Sequence, residues 1–239
     1  MKILFTIGIL TMFLIGCENE PKPVVFKTIE IDSKYEAEIQ VTLDKAQGNS
    51  QLTRAINANI ENSIVNTINT NEKDSTLNDI LESFNKEYLK FKSEFPDESD
   101  PIWELYVETE KTYQSEAVIS IAISTYEFMG GAHGNDQITL LNINAQSGEV
   151  IKNENLVSDT LALKELAKEY FIKALETDSN DTSLEDYFYG DSFQLPKNMG
   201  LGEEGLIMLY NTYEIASYAQ GYTEFVIPYE AITSLLKFN

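Results

Sequence analysis

The single histidine of this 239-residue chain, His133, stands in the run Gly130-Gly131-Ala132-His133-Gly134. An imidazole in such a setting can act as a general base, a metal ligand or a hydrogen-bonded turn residue. A metal site has no second histidine to draw on, so it would need Glu127, Asp136 and a further carboxylate brought in by the fold. A nucleophilic pair would have Ser120 and Ser124 near in sequence, but no G-x-S-x-G turn exposes either of them. A turn histidine bonded to main-chain carbonyls needs only the loop itself, and that role is favoured. No catalytic residue, metal ligand or cofactor is assigned.

Two other stretches carry chemistry-bearing side chains. Asp178, Asp181, Glu185 and Asp186 resemble a calcium loop, yet the sixth position is not glycine and Tyr189 stands where the bidentate glutamate belongs. A helix-capping box at Thr182-Ser183-Leu184-Glu185 accounts for these residues better. Near the C-terminus, Tyr213, Tyr218 and Tyr222 are candidate binding aromatics, since tyrosine offers contact area at little entropic cost. Their alternative is cross-strand packing, which Tyr210 exemplifies by sharing a face with Leu206 and Met208.

The elements that must position these residues follow from periodicity. Ile119 to Leu141 reads as two apolar strands reversing through the glycine-rich turn. Both faces of the first strand are largely apolar, which places it in the interior of a sheet. Strand patterns occupy Val24–Ile31, Lys34–Asp44 and Trp103–Tyr113, and strand character returns in the tyrosine-rich stretch Gly205–Ile227. Helical i, i+4 spacing runs over Ser50–Thr70, Ser75–Glu94 and Asp159–Glu176, with a last short helix after Pro228. This order predicts an α+β fold: a mainly antiparallel sheet with helices packed on one face, in two sequential lobes at 24–140 and 141–239.

The first sixteen residues read as a lipoprotein signal peptide. An apolar run from Ile3 to Ile15, too short to span a bilayer permanently, leads to Leu14-Ile15-Gly16-Cys17. Cys17 is the only cysteine and falls where acyl chains such as palmitate are attached, so it is the expected lipidation site, followed by a tether at 17–23. Two or three acyl chains hold a domain on a membrane durably. The expected location is the cell envelope, outside the cytoplasm, at the outer membrane if the cell is Gram-negative.

Cleavage before Cys17 would remove one lysine and no acid, taking the formal net charge from −22 to −23. Such a chain lacks the basic footprint that nucleic acid requires, and nucleic-acid binding is excluded. A basic protein remains a compatible partner, because an acidic surface steers cations inward.

Three separated stretches carry a family likeness: Tyr126–Gly134, then Asn144-Ala145-Gln146-Ser147-Gly148-Glu149-Val150-Ile151, then Tyr213–Gly221 with Val226-Ile227-Pro228-Tyr229. Together they resemble the extracytoplasmic domain of RsiV-type anti-sigma factors, which also accompanies the catalytic module of PdaC-type peptidoglycan deacetylases. The resemblance implies a non-catalytic α+β module, and in RsiV-type members a receptor for lysozyme. Neither a cytoplasmic sigma-binding segment nor a deacetylase module is expected here. Residues and resemblance thus point to a lipid-anchored envelope binding or sensing module, with a lysozyme-like protein or cell-wall glycan as ligand. A hydrolase or metal enzyme using His133 and a purely structural envelope lipoprotein stand as the alternatives.

Overall fold

Where the sequence alternates the chain forms sheet, and where apolar residues recur every four it forms helix. The computed structural model describes residues 22–31, 34–68, 76–96, 102–177 and 184–238. Six strands build one sheet: β1 (Phe26–Ile31), β2 (Glu38–Ala46), β3 (Glu104–Gln114), β4 (Val118–Phe128), β5 (Asn135–Asn144) and β6 (Val150–Ile151). Their spatial order equals their chain order. Every neighbouring pair is antiparallel except β2 and β3. Between those two, α1 (Gln51–Ile68) and α2 (Leu77–Glu94) carry the chain back across the sheet, which is what a parallel pair demands.

Strand β4 lies between β3 and β5, the interior place that its two apolar faces require. Its Ile119, Ile121 and Ile123 are fully buried under the helices, with Ile56 and Ile64 of α1 above them. Truncating any one of these to alanine would cost about 2–5 kcal/mol. Thr76 caps α2: its hydroxyl accepts from Asp79 N while Asp79 Oδ2 accepts from Thr76 N at 2.8 Å. Phe84 and Tyr88 of that helix pack on Trp103, just ahead of β3.

A smaller sheet follows, made of β7 (Asn198–Leu201), β8 (Gly205–Tyr210) and β9 (Thr223–Pro228). The helix α3 (Thr160–Thr177) covers it, with Leu163, Ala167 and Phe171 fully buried, and the short α4 (Tyr229–Ile232) adds Ile232. Asp159 accepts from Leu161 N and Ala162 N at the start of α3. The fold is therefore α+β with a mainly antiparallel main sheet and helices α1 and α2 on one of its faces, as expected.

Two details differ from the sequence-based expectation. The main sheet runs on to Ile151, so the division at 140/141 falls inside β5. Gly205–Ile227 is not continuous strand: β8 and β9 are separated by a loop at 211–222, in which Tyr213 (φ 67°) and Gly221 (φ 68°) take left-handed angles closed to a strand. Cys17, the signal peptide and most of the tether lie outside the described residues, as do 178–183 of the acidic loop. Among the described residues no helix is long and apolar enough to cross a membrane.

The two sheets meet on the outer face of the main sheet, away from α1 and α2. Strand β7 is an edge of its own sheet, and its open side is satisfied by the main sheet. Ser120 Oγ accepts from Leu201 N, Asn142 Nδ2 donates to Met199 O at 2.7 Å, and Thr112 Oγ1 donates to Leu201 O. Ser120 also donates to Asn142 Oδ1 at 2.7 Å, closing a buried polar seam. Gly200 lets the strands approach this closely, since a Cβ there would lie 3.0 Å from Leu140 Cβ.

Candidate functional site

The smaller sheet covers only one end of that outer face. Beyond the seam, outward residues of β2 to β5 stay open, and their register brings Tyr106 opposite Tyr126, and Tyr126 opposite Asp136. The Tyr106 and Tyr126 rings lie parallel, centroids 5.5 Å apart. With Glu108, Ser124, Gln137, Ile138 and Tyr222 they line a cleft of about 330 Å³. Tyr106 Oη donates to Glu38 Oε1 at 2.9 Å, and Gln40 Nε2 donates to the same oxygen at 3.1 Å. Burial, the bond to Glu38 and the nearby carboxylates all hold the Tyr106 phenol well above its ordinary range. Tyr126 is raised in the same way, by burial first and then by Glu104, Asp136 and Tyr218. Both phenols therefore remain neutral donors throughout the physiological range.

The glycine-histidine turn lies beside this cleft, against Tyr126. Gly134 lies directly beneath Tyr126: a Cβ on it would fall 2.2 Å from Tyr126 Cε2, so any side chain there must displace the ring. Gly130 turns the chain with φ 79°. His133 is exposed, its Nδ1 2.9 Å from Gly134 O. A carbonyl cannot donate, so Nδ1 is the donor in this bond. Its face stacks on Tyr218 at 3.8 Å, and Tyr218 Oη donates to Gly134 O at 3.3 Å. The turn histidine and one candidate aromatic thus form a single unit.

Tyr218 and Tyr213 come from the loop at 211–222, and its motif residues divide the work of building it. Glu214 accepts from Asn211 N and Lys197 N, tying the start of the loop to the residue ahead of β7. Ile215 and Ala216 are buried, while Ser217 and Gln220 form a capping box around the turn that carries Tyr218. Tyr213, 55% exposed and left-handed, lies 5.7 Å from Tyr218. Tyr189, itself left-handed beside left-handed Phe188, braces this conformation by donating to Tyr213 O and Ala216 O. Backbone held in sparsely populated angles clusters at functional sites.

The structure therefore brings together His133, Gly134, Tyr213, Tyr218 and Tyr222, and adds Tyr106 and Tyr126 to them, whereas Gly130 starts the turn against Trp103 on the helix side. Gly131 lies on the exposed crest of the turn. Ser120 is consumed by the buried seam, whereas Ser124 lines the cleft. Glu127 points to the other face of β4, where burial, and secondarily Glu87, raises its carboxyl. Among the described residues no group of three His, Cys, Asp or Glu is placed to hold a metal ion. Tyr106 was legible only as a tyrosine on the polar face of an alternating strand, between Glu104 and Glu108.

Residues 31–136 match the family model described as Deacetylase PdaC, and residues 154–230 match that of a protein of unknown function, DUF3298. The family likeness holds. In the PdaC-like segment lie Tyr106, Tyr126, His133, Gly134 and Asp136, and in the DUF3298 segment Tyr213, Tyr218 and Tyr222. The cleft is built where the two segments meet, a preferred place for ligand sites. No curated protein shows significant similarity to the chain. Among solved structures, a DUF3298 family member from Bacteroides fragilis is similar over 90% of this chain and 94% of its own, with TM-score 0.68 and 18% identity. A DUF3298 family protein from Pseudomonas aeruginosa is similar over 90% and 95%, with TM-score 0.63 and 18% identity. These two share the fold.

Proposed function

We propose that this chain is a lipid-anchored binding module of the cell envelope, non-catalytic, whose site is the tyrosine-and-carboxylate cleft between its two segments and whose ligand is a basic, lysozyme-like protein. One observation carries this reading: among the described residues the cleft lining holds three tyrosines and two carboxylates, and neither lysine nor arginine. Tyrosines are characteristic interface anchors, and carboxylates at a rim favour a cationic partner through faster encounter. The formal charge of −22 extends that field over the whole chain. A non-catalytic role is supported by His133, whose ring is committed to Gly134 O and Tyr218 rather than to a hydroxyl or carboxylate. The anchor is Cys17, which places the module outside the cytoplasm.

A second ligand class, cell-wall glycan, is favoured by Tyr213 and Tyr222, whose exposed rings (55% and 57%) offer surfaces on which a sugar can stack. Retention assays on immobilised cationic lysozyme and on purified peptidoglycan separate the two. The protein reading expects lysozyme to be retained at low salt, weakened as salt rises, and lost on Tyr126→Ala with Tyr213→Ser. Retention on peptidoglycan alone transfers the site to glycan, and retention on neither material refutes the binding role. Mass spectrometry of the mature chain should show acyl groups on Cys17, and Cys17→Ser should release the protein from membranes.

A further inference from the structure

A second cleft, of about 620 Å³, opens on the opposite face of the main sheet from the tyrosines. Its origin is geometric. Two packed helices 8–10 Å apart cover about four strands spaced about 4.8 Å apart, and this sheet has six. With α1 lying over β2, β4 and β5, the inner side of β1 is left overhanging. Ile29 and Ile31 of β1, both half-buried, form one wall with Leu43, and Ile60, Leu77 and Leu81 form the other. Apolar walls of this extent, in a volume within the range of about 300–1,000 Å³ typical of ligand sites, suit a hydrocarbon chain.

The mouth of the cleft has its own chemistry. Four charged residues line it: Asp44, Lys45, Arg54 and Glu61. The acids are already engaged. Asp44 accepts from Thr28 Oγ1 at 2.7 Å and from Lys111 N at 3.0 Å, and Glu61 Oε1 accepts from Leu77 N at 3.1 Å. The cations are not: neither Arg54 nor Lys45 takes part in an ion pair among the described residues. Arg54, the only arginine in a chain of net charge −22, spends one Nη1 donor on Asn49 O. Among the described residues nothing else engages its planar fork, whose geometry suits an anion.

We infer that this cleft binds an amphipathic anion, a single acyl chain lying between β1 and the α1–α2 hairpin with its carboxylate or phosphate head on Arg54. The site is independent of the tyrosine cleft, which uses the other face of the sheet and whose ligand is a macromolecule.

The test is calorimetric titration of the full chain carrying Cys17→Ser, so that no acyl group of its own competes, with dodecanoate, dodecyl phosphate and dodecanol. The two anions should bind saturably, one per chain, and raise the melting temperature; whichever binds more tightly tells a fatty-acid head from a phosphate one. Dodecanol should bind at least roughly tenfold more weakly, and Arg54→Gln should weaken dodecanoate by the same factor while leaving dodecanol unchanged. Ala58→Trp, at an exposed lining position, should block all three without unfolding the chain, and Tyr126→Ala should change none of them. Dodecanol matching dodecanoate, Arg54→Gln without effect, or uptake that never saturates would overturn the inference.

Discussion

The outer face of the main sheet is used in two opposite ways along the same three strands. At one end β3, β4 and β5 present Thr112, Ser120 and Asn142, each bonded to the backbone of β7, with Ser120 and Asn142 closed from solvent. At the other end, six residues further along β4, they present Tyr106, Tyr126 and Asp136, which no strand among the described residues covers. Side-chain amides mark the transition: Asn211 bonds both Ile138 N and Ile138 O, and Asn198 accepts from Leu140 N, capping the free edge of β5 as β7 and its loop turn away. Buried polar groups at the covered end are all spent on structure. At the open end tyrosines and carboxylates are gathered without a partner strand, the composition of a surface kept for something else.

This contrast can be broken at either end. The largest effect is expected at the covered end. Asn142→Leu leaves Met199 O and the Ser120 hydroxyl without their partner in a dry seam, and should cost about 3 kcal/mol in urea denaturation while ligand retention by the folded protein is unchanged. Next is Gly134→Ala, whose methyl must displace the Tyr126 ring. It should cost about 1–3 kcal/mol and weaken lysozyme retention together with stability. Tyr126→Ala, at a half-buried position, should cost about 1 kcal/mol of stability yet lower ligand affinity by roughly tenfold or more, the reverse of the seam variant. If Asn142→Leu and Tyr126→Ala instead shifted binding and stability in the same proportion, the two ends would not differ in role.

The smallest effect is a pH dependence. Burial raises the Glu127 carboxyl above its ordinary 4.5, so the folded state holds that proton more tightly than the unfolded chain does. Its contribution favours folding below pH 4.5 and is lost as pH rises through the folded value. Glu127→Gln has no proton to lose and should melt slightly higher at neutral pH, the gap closing below pH 4.5. Solvent on its open side keeps the gain under about 1 kcal/mol. Melting curves at pH 4 and pH 7 check it.

Much of the fold was legible because its signals are local. Apolar residues at every fourth place from Leu52 to Ile68 become α1, and alternation from Tyr35 onward becomes β2. The two-sided apolar pattern of Ile119–Ile123 correctly demanded an interior strand. The loop at 211–222 was not legible as a loop, because its tyrosines and isoleucine carry strand propensity, and only the left-handed Tyr213 and its bonds to Tyr189 overrule that preference. The glycine-histidine turn was identified, but not what it lies against.

Sequence alone determined the α+β class, the strand and helix order, the acidic charge and the glycine turn, since each depends on composition or on residues within a few places of one another. Tertiary structure decided that Tyr106 and Tyr126 share one cleft, that the stacked pair His133 and Tyr218 lies beside it on Gly134, and that Ser120 does not belong to it. Those relations span up to 112 residues between Tyr106 and Tyr218. They are set by strand register and by where the smaller sheet stops covering the larger, and no periodicity within a single segment encodes either.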